Sequence, residues 1–141
     1  MSTLTNEVFV GQWSYRSMNN NPDLSVEFND LQFGKGTITI EEAPMNQLKG
    51  TIGGPGWELE LQGSISYGNP FEVRFQGKGI IGGEEWIYNY VGYMVAPWVN
   101  GVKEVPSIVG SIVRVIPHSG GQGETIHPAG VVASWYAVKQ D

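Results

Sequence analysis

The chain has 141 residues, a formal net charge of −6 and no cysteine. A single domain of this size buries enough surface to fold without a disulfide or metal. The lack of cysteine excludes a thiol nucleophile and a disulfide scaffold. The eight lysines and arginines are scattered singly, which argues against a nucleic-acid partner. No apolar run is long enough for a membrane-spanning helix, so we expect no membrane partner.

Twenty glycines and eight prolines divide the chain into short segments in which apolar and polar residues alternate. In the segment 57–67 the odd-numbered positions are mostly apolar and the even-numbered positions are polar. Because successive side chains of a strand point to opposite faces, this pattern predicts a strand with one buried face. A weak segment at 31–33 leads into the second strand. The predicted strands are 8–18, 36–41, 48–52, 57–67, 71–81, 85–95, 107–116 and 131–139.

The first predicted strand contains the tripeptide Gly11-Gln12-Trp13. This resembles the G-x-W opening of the calycin barrels, a group that comprises the lipocalins, the fatty-acid-binding proteins and the avidins. The resemblance implies that Trp13 closes one end of a barrel. It also implies an arginine stacked over the indole, for which Arg114 and Arg16 are the candidates.

Longer stretches resemble a family of small bacterial β-barrels with an avidin-like fold, to which no activity is assigned. The stretches are 11–17, 86–92, 97–101, 109–111, 117–118 and 128–135. The resemblance implies no catalytic residue, and the polar biotin-contact pattern of true avidins is not matched. We therefore expect one all-β domain over residues 1–141, an eight-stranded antiparallel up-and-down barrel of the streptavidin or lipocalin kind.

The alternation places several aromatic residues on the inward faces of the predicted strands. An eight-stranded barrel is either filled by its side chains or holds one small ligand, and the pattern leaves both open. Four glycines, at positions 63, 77, 79 and 92, share these faces, and from them we expect a hollow. We expect it to open at the end that carries loops 96–106 and 117–130, with Trp98 and His118 at its rim. The inward aromatic residues are Tyr15, Trp57, Tyr67, Trp86, Tyr88, Tyr90 and Trp135.

Arg114 is unusual because it shares its predicted face with isoleucines. Its candidate roles are to cap Trp13, to pair with a carboxylate, or to anchor an acidic ligand inside the barrel. His118, Glu124 and His127 suit zinc by chemistry, but their spacing in a glycine-rich loop matches no rigid template. We interpret them as solvated loop residues and expect no metal and no cofactor.

The last three predicted strands are apolar on both faces. The outer wall of a barrel is polar unless something covers it, so we expect a homodimer or higher homo-oligomer through this surface. The expected contact residues are Val91, Tyr93, Val109, Val113, Val132 and Tyr136.

These patterns favour a non-enzymatic protein that binds a small, largely apolar or aromatic molecule. One alternative is a small cyclase or isomerase, in which a tyrosine, glutamate or arginine stabilises the transition state. A second alternative is an assembly module without a ligand. The N-terminal stretch has no apolar signal-like region, so we expect a cytoplasmic protein. The candidate ligand-binding residues are Trp86, Tyr88, Tyr90, Trp98, Arg114 and His118.

Overall fold

The structure is a computed structural model that describes residues 4–95, 100–119 and 125–140. These ranges contain ten β-strands and one turn of 3-10 helix, Phe28–Leu31. No helix in the described ranges is long and apolar enough to cross a bilayer. The strands are β1 (Gly11–Asn19), β2 (Gln32–Ile40), β3 (Gln47–Gly54), β4 (Trp57–Ser66), β5 (Glu72–Ile81), β6 (Glu84–Val95), β7 (Ser107–Arg114), β8 (His118–Ser119), β9 (Ile126–His127) and β10 (Val132–Lys139).

Eight of the strands form a closed antiparallel barrel in the order β1-β10-β7-β6-β5-β4-β3-β2. β1 closes the barrel because it pairs with β2 on one side and with β10 on the other. Trp13 lies opposite Ile38 in the first pairing and opposite Lys139 in the second. The all-β, eight-stranded up-and-down barrel predicted from the alternation is confirmed, as is the pairing of its first and last strands.

Three segments differ from the predicted elements. Residues 8–10 belong to a turn, in which the Phe9 amide donates to the Asn6 carbonyl at 2.8 Å. The weak segment 31–33 and the strand that follows it form one continuous β2, with a register shift against β1 between Ser17 and Met18. β8 and β9 form a small hairpin inside the region predicted as loop. Pairing with distant strands decides these boundaries, and local alternation does not report it.

An aromatic layer fills the middle of the barrel. Tyr90 stacks on Phe75 with ring centroids 4.7 Å apart, and it meets Tyr15 and Trp135 edge-on at 6.2 and 5.9 Å. All four side chains are buried. Offset-stacked and edge-on contacts of this kind stabilise a core beyond the burial of apolar area, so this part of the interior is packed by the chain's own side chains.

The glycines from which the sequence predicts a hollow instead make room for side chains. A Cβ atom on Gly92 would lie 2.8 Å from Cζ2 of Trp135, and one on Gly63 would lie 2.0 Å from the Arg74 carbonyl oxygen. At Gly77 the nearest atoms belong to Tyr90, Leu59 and Leu61. The prediction of a hollow at these positions is therefore wrong, because neighbouring side chains or the backbone of the adjacent strand occupy the volume that each missing side chain leaves.

The end of the barrel where β1 begins is closed; we call it the closed end. Phe9, Trp13, Tyr67 and Phe71 pack against one another there. Trp13 is fully buried, and its indole nitrogen donates to the Phe9 carbonyl at 2.9 Å. This confirms the expected position of Trp13 at one end of the barrel.

The opposite end, where β1 finishes, is the open end. The β1–β2, β3–β4, β5–β6 and β7–β10 connections all lie there, because consecutive connections of an up-and-down barrel alternate between its ends. The β6–β7 connection consequently lies at the closed end. The expectation that loops 96–106 and 117–130 share one end is wrong for this topological reason.

Candidate functional site

A cavity of about 890 Å³ enters the barrel from the open end. Its volume lies in the range of about 300–1,000 Å³ that is typical of small-molecule sites. Six aromatic rings from four strands form most of its wall, and aliphatic side chains of β4, β5 and β7 complete it. The aromatic wall residues are Tyr15, Phe33, Trp57, Trp86, Tyr88 and Tyr90, and the aliphatic ones are Leu59, Ile81 and Ile112.

Glycines of two neighbouring strands border the cavity. Gly34 and Gly36 on β2 and Gly53 and Gly54 on β3 all border the cavity. A Cβ atom on Gly54 would lie 2.8 Å from the Trp57 indole nitrogen, so the indole lies flat against this glycine surface. The absence of a Cβ at Gly36 and Gly54 therefore lets the Trp57 ring pack on the β2–β3 backbone, whereas Gly53 faces outward between Thr37 and Glu58.

Tyr15 and Tyr90 belong both to the aromatic layer and to the cavity wall. Burial raises the pKa of both hydroxyl groups, so both remain neutral across the physiological range. Phe33 on β2 reaches across the mouth and meets Tyr88 of β6 edge-on at 6.2 Å. The cavity therefore has an uncharged aromatic interior that Phe33 partly covers.

A chain of three hydrogen-bonded side chains lies on the β6–β7 side of the cavity. Arg114 Nε donates to the Tyr88 hydroxyl oxygen at 3.2 Å, and this oxygen lies 2.6 Å from His118 Nε2. On its other side His118 Nδ1 lies 3.1 Å from the Ser119 carbonyl oxygen. A carbonyl oxygen can only accept, so Nδ1 carries the proton, and Nε2 is left to accept the Tyr88 hydroxyl proton.

His118 is held by stacking as well as by hydrogen bonds. Its ring lies parallel to the Trp86 indole with centroids 3.9 Å apart, and only 3% of the residue is exposed. Burial lowers the pKa of His118, and the positive charge of nearby Arg114 lowers it further. The imidazole is consequently neutral at pH 7, in agreement with the hydrogen-bond pattern.

Ser119 links this group to Glu84 at the start of β6. Its backbone amide and its hydroxyl both donate to the Glu84 carboxylate. These hydrogen bonds from Ser119 lower the pKa of Glu84, which therefore stays ionised. The contact ties the short strand β8 to β6 and fixes the place of the His118 ring.

Arg114 is 7% exposed and forms no ion pair with a carboxylate anywhere in the described ranges. Its guanidinium carbon lies 5.1 Å from the centroid of the Phe33 ring and 5.8 Å from that of Tyr88. Nη1 donates to the Pro128 carbonyl oxygen at 3.2 Å. Contacts with π faces and neutral oxygens offset only part of the cost of burying a cation.

Of the six ligand-binding residues expected from the sequence, Trp86, Tyr88 and Tyr90 lie in the cavity wall. Arg114 and His118 are joined to Tyr88 but lie behind the wall. Trp98 falls outside the described residues.

The proposed stacking of Arg114 or Arg16 over Trp13 is wrong. Arg114 is at the open end, and Lys139 Nζ lies over the Trp13 ring at 5.7 Å. β10 places Lys139 directly opposite Trp13, so a lysine takes the position expected for an arginine.

The loop histidines differ from the sequence expectation in one respect. His118 is buried, so its interpretation as a solvated loop residue is wrong, whereas His127 is exposed. The two rings lie 5.8 Å apart, and Glu124 falls outside the described residues. Within those residues no three potential ligands come together around a metal position.

The sequence missed Phe33, Ile81 and Ile112 as wall residues. Phe33 was in a segment too short to indicate a strand, and its role depends on a reach across the barrel to β6. Ile81 precedes the tight β5–β6 turn, where Gly82 and Gly83 adopt positive φ angles of 59° and 82°. Alternation does place Ile81 on the inward face of β5 and Ile112 on the inward face of β7. This pattern was the signal by which the sequence could have identified them.

Comparison with known proteins found no matching family model, no matching curated protein and no matching solved structure. The function must therefore be argued from the cavity. Its aromatic walls suit a flat or apolar molecule, and the Arg114–Tyr88–His118 chain suits either ligand orientation or proton transfer.

Proposed function

We propose that this protein binds a small, largely apolar or aromatic molecule in the open-end cavity. The observation that carries the proposal is the combination of about 890 Å³ of open space with six aromatic rings around it. A barrel that served only as a scaffold would gain stability by filling this space, because a void leaves its lining without packing partners.

The rigidity of the wall supports the same function. Tyr15 and Tyr90 are locked in the central aromatic layer, and Trp86 is stacked on the buried His118. A ligand that enters such a preformed site meets rings that are already ordered, so little conformational entropy is lost on binding.

We further propose that the barrel is of the calycin type. The support is the closed up-and-down topology, together with the buried Trp13 at the closed end and a cation over its ring. The cytoplasmic location expected from the sequence stays a prediction.

Binding can be tested with N-phenyl-1-naphthylamine, a neutral aromatic dye whose fluorescence rises in apolar surroundings. We expect saturable binding to the wild type at low micromolar concentration. Ile81→Trp enlarges a wall residue and should weaken binding about tenfold or more. Ile80→Trp is the matched control, because Ile80 is the next residue, faces outward and is 68% exposed. Dye binding that is absent, or equal in both variants, would contradict the proposal.

The Arg114–Tyr88–His118 chain supports a second candidate, an isomerase or cyclase that works by proton transfer. Tyr88 would first pass its hydroxyl proton to His118 Nε2, and its phenolate oxygen would then take a proton from a C–H bond of the substrate, whose electron pair stays on the substrate until the proton is returned to another carbon. Arg114 would stabilise the negative charge that develops at Tyr88.

This candidate can be tested with acetophenone in D₂O, by following deuterium incorporation into the methyl group by NMR. We expect exchange above the buffer rate that Tyr88→Phe abolishes and His118→Gln lowers. Exchange at the buffer rate, with acetophenone saturating the cavity, would rule out the proton-transfer candidate and leave small-molecule binding as the one proposed function.

The partner we propose is a second copy of the chain on the outer face of β6, β7 and β10. In these three strands only Glu85 brings a charge to the outer face, whereas β4 and β5 carry glutamate, arginine and lysine there. Tyr93, Val109 and Val132 are 43–50% exposed on this face. Valine and tyrosine side chains dominate this face, with Asn89, Ser111 and Ser134 between them, and a two-fold axis would cover it most simply.

A further inference from the structure

The floor of the cavity carries two phenol hydroxyl groups. Tyr15 of β1 and Tyr90 of β6 are each 3% exposed and belong both to the central aromatic layer and to the cavity wall. Neither phenol oxygen has a partner of regular hydrogen-bond geometry in the described ranges, and neither is among the buried atoms that lack one. Each oxygen therefore keeps some accessible surface, and the cavity is the space that both residues border.

A third hydroxyl group, that of Ser17, lies beside Tyr15. Burial raises the pKa of Tyr15, and weak hydrogen bonding by Ser17 and Tyr90 lowers it by less. Ser17 follows Tyr15 by two residues, so both side chains point to the inward face of β1. The Ser17 hydroxyl donates to the Gly34 carbonyl oxygen at 3.4 Å, which is a long contact. The three hydroxyl groups thus form one small, neutral polar cluster among aromatic rings.

The described part of the wall offers this cluster no ionised neighbour. Arg16 and Lys35 are exposed on the outer face of β1 and β2. Arg114 lies behind the wall, where its guanidinium group donates to Tyr88 and Pro128. The described aspartates and glutamates with inward positions do not border the cavity. Because a carboxylate or ammonium group loses much hydration free energy in a site without a counter-charge, the cavity floor favours an uncharged group.

We propose that the natural ligand is an uncharged aromatic or apolar molecule with a carbonyl oxygen, which accepts hydrogen bonds from Tyr15 and Tyr90 at the cavity floor. This rests on the proposed binding function and names the chemical class of its ligand. Each phenol donates one hydrogen bond, and a carbonyl oxygen has two lone pairs to accept them. The two hydroxyl groups determine specificity, because a ligand without such an oxygen displaces water from them and leaves them unpaired.

The test compares three ligands that share a naphthalene ring. 2-Acetylnaphthalene carries a neutral carbonyl group, 2-ethylnaphthalene is the matching hydrocarbon, and 2-naphthoate carries a carboxylate. Each is titrated against bound N-phenyl-1-naphthylamine, and its affinity follows from the loss of dye fluorescence. We expect the ketone to bind at least as tightly as the hydrocarbon, although water solvates the ketone better. The carboxylate should bind about tenfold or more weakly than the ketone.

The double variant Tyr15→Phe/Tyr90→Phe removes both hydroxyl groups and keeps both rings. It should weaken ketone binding about tenfold and leave hydrocarbon binding within about twofold of the wild type, because the hydrocarbon forms no hydrogen bond. Retained hydrocarbon binding also shows that the variant folds. The two single variants should each show part of the loss, and they decide the question if the double variant does not fold.

Tyr93→Phe is the matched control, because it removes a hydroxyl group from the outer face, where Tyr93 is 44% exposed. We expect it to bind all three ligands as the wild type does. Loss of ketone affinity in this control as well would overturn the inference, since the effect would then not belong to the cavity floor.

The remaining outcomes separate the two proposals. Ketone binding that the phenylalanine variants leave unchanged, or weaken no more than hydrocarbon binding, refutes the inference and leaves the binding cavity intact. Carboxylate binding as tight as that of the ketone refutes the requirement for an uncharged ligand. Ketone binding that Ile81→Trp does not weaken would place the ligand outside the cavity and would also overturn the inference. Absence of binding by the dye and by all three ligands refutes the proposed function itself.

Discussion

Trp13→Ala tests how far the closed end holds the barrel together. Trp13 is completely buried, packs against Phe9 and donates a hydrogen bond to the Phe9 carbonyl. Replacing a buried tryptophan or phenylalanine by alanine costs about 3–5 kcal/mol through lost burial and the cavity left behind. The unpartnered carbonyl adds to the loss, so we expect a value in the upper half of that range.

The free energy of unfolding should be measured by urea denaturation followed by circular dichroism. A domain of this size is stable by about 5–15 kcal/mol, so the expected loss moves the midpoint far to lower urea. Trp13→Phe separates the two contributions, because it keeps most of the ring but removes the indole donor. We expect it to lose about 1–3 kcal/mol.

Trp57→Ala is the comparison at the open end. Trp57 is half-buried and lies against Gly36 and Gly54 in the cavity wall, so it contributes less packing than Trp13. We expect a smaller loss of stability and weaker dye binding from this change. A loss under about 1 kcal/mol for Trp13→Ala would refute the reasoning that this residue closes the barrel.

Three further predictions concern the outer face, the buried histidine and the close strand contacts. If the proposed dimer forms, Val113→Asp should convert it into monomers by burying an unpaired charge, as measured by light scattering. Gln76→Asp on the polar wall should not do so, and a monomeric wild type at high micromolar concentration would contradict the proposed interface. Because burial lowers the pKa of His118 from 6.5, the unfolded chain binds the extra proton first as the pH falls. The stability that His118 contributes is therefore complete above about pH 6.5 and is lost as the pH falls towards its folded-state pKa. His118→Gln should flatten this part of the curve of unfolding free energy against pH. An unchanged curve would show that His118 is not responsible for the pH dependence. Gly63→Ala should lower the free energy of unfolding by more than about 2 kcal/mol, because its Cβ would lie 2.0 Å from a backbone oxygen. Gly68→Ala is the control and should change the urea midpoint little, because its Cβ would meet nothing closer than 3.6 Å. Equal midpoints for the two variants would contradict the packing argument.

The sequence was sufficient for the barrel because strand alternation is a local signal. In β4 each odd position from Leu59 to Ile65 faces inward, as the pattern of apolar residues predicts. Closure by β1 and β10 follows once eight such strands are counted, since an open sheet would leave two unpaired edges. Fold class and the eight barrel strands were therefore readable from residues near one another in the chain, whereas the end position of Trp13 was implied by the resemblance of Gly11-Gln12-Trp13 to the calycin opening.

The place of the hollow was not readable in this way. Gly36 and Gly54 border the cavity, but the Trp57 ring of β4 packs against both, and the pairing of β2, β3 and β4 sets this contact. Gly92 is a similar case, because Trp135 fills the space that it leaves. Whether a glycine makes a void or a close contact depends on a residue far away in sequence, and alternation within one strand does not report that partner.

The same distinction, between patterns within one strand and contacts between strands, explains which residues of the candidate site the sequence could predict. Trp86, Tyr88 and Tyr90 occupy successive inward positions of β6, so alternation within one strand identifies all three. Arg114 also occupies an inward position, but its contact with Tyr88 and its distance from Trp13 follow from the pairing of β6 with β7 at the open end. Tryptophan therefore has two roles in this barrel. Trp13 closes one end, and Trp86 lines the cavity at the other. What separates the two roles is the ring that each indole faces, which is Phe9 for Trp13 and His118 for Trp86. The open volume and its aromatic wall are the structural reason to look for a ligand at this end.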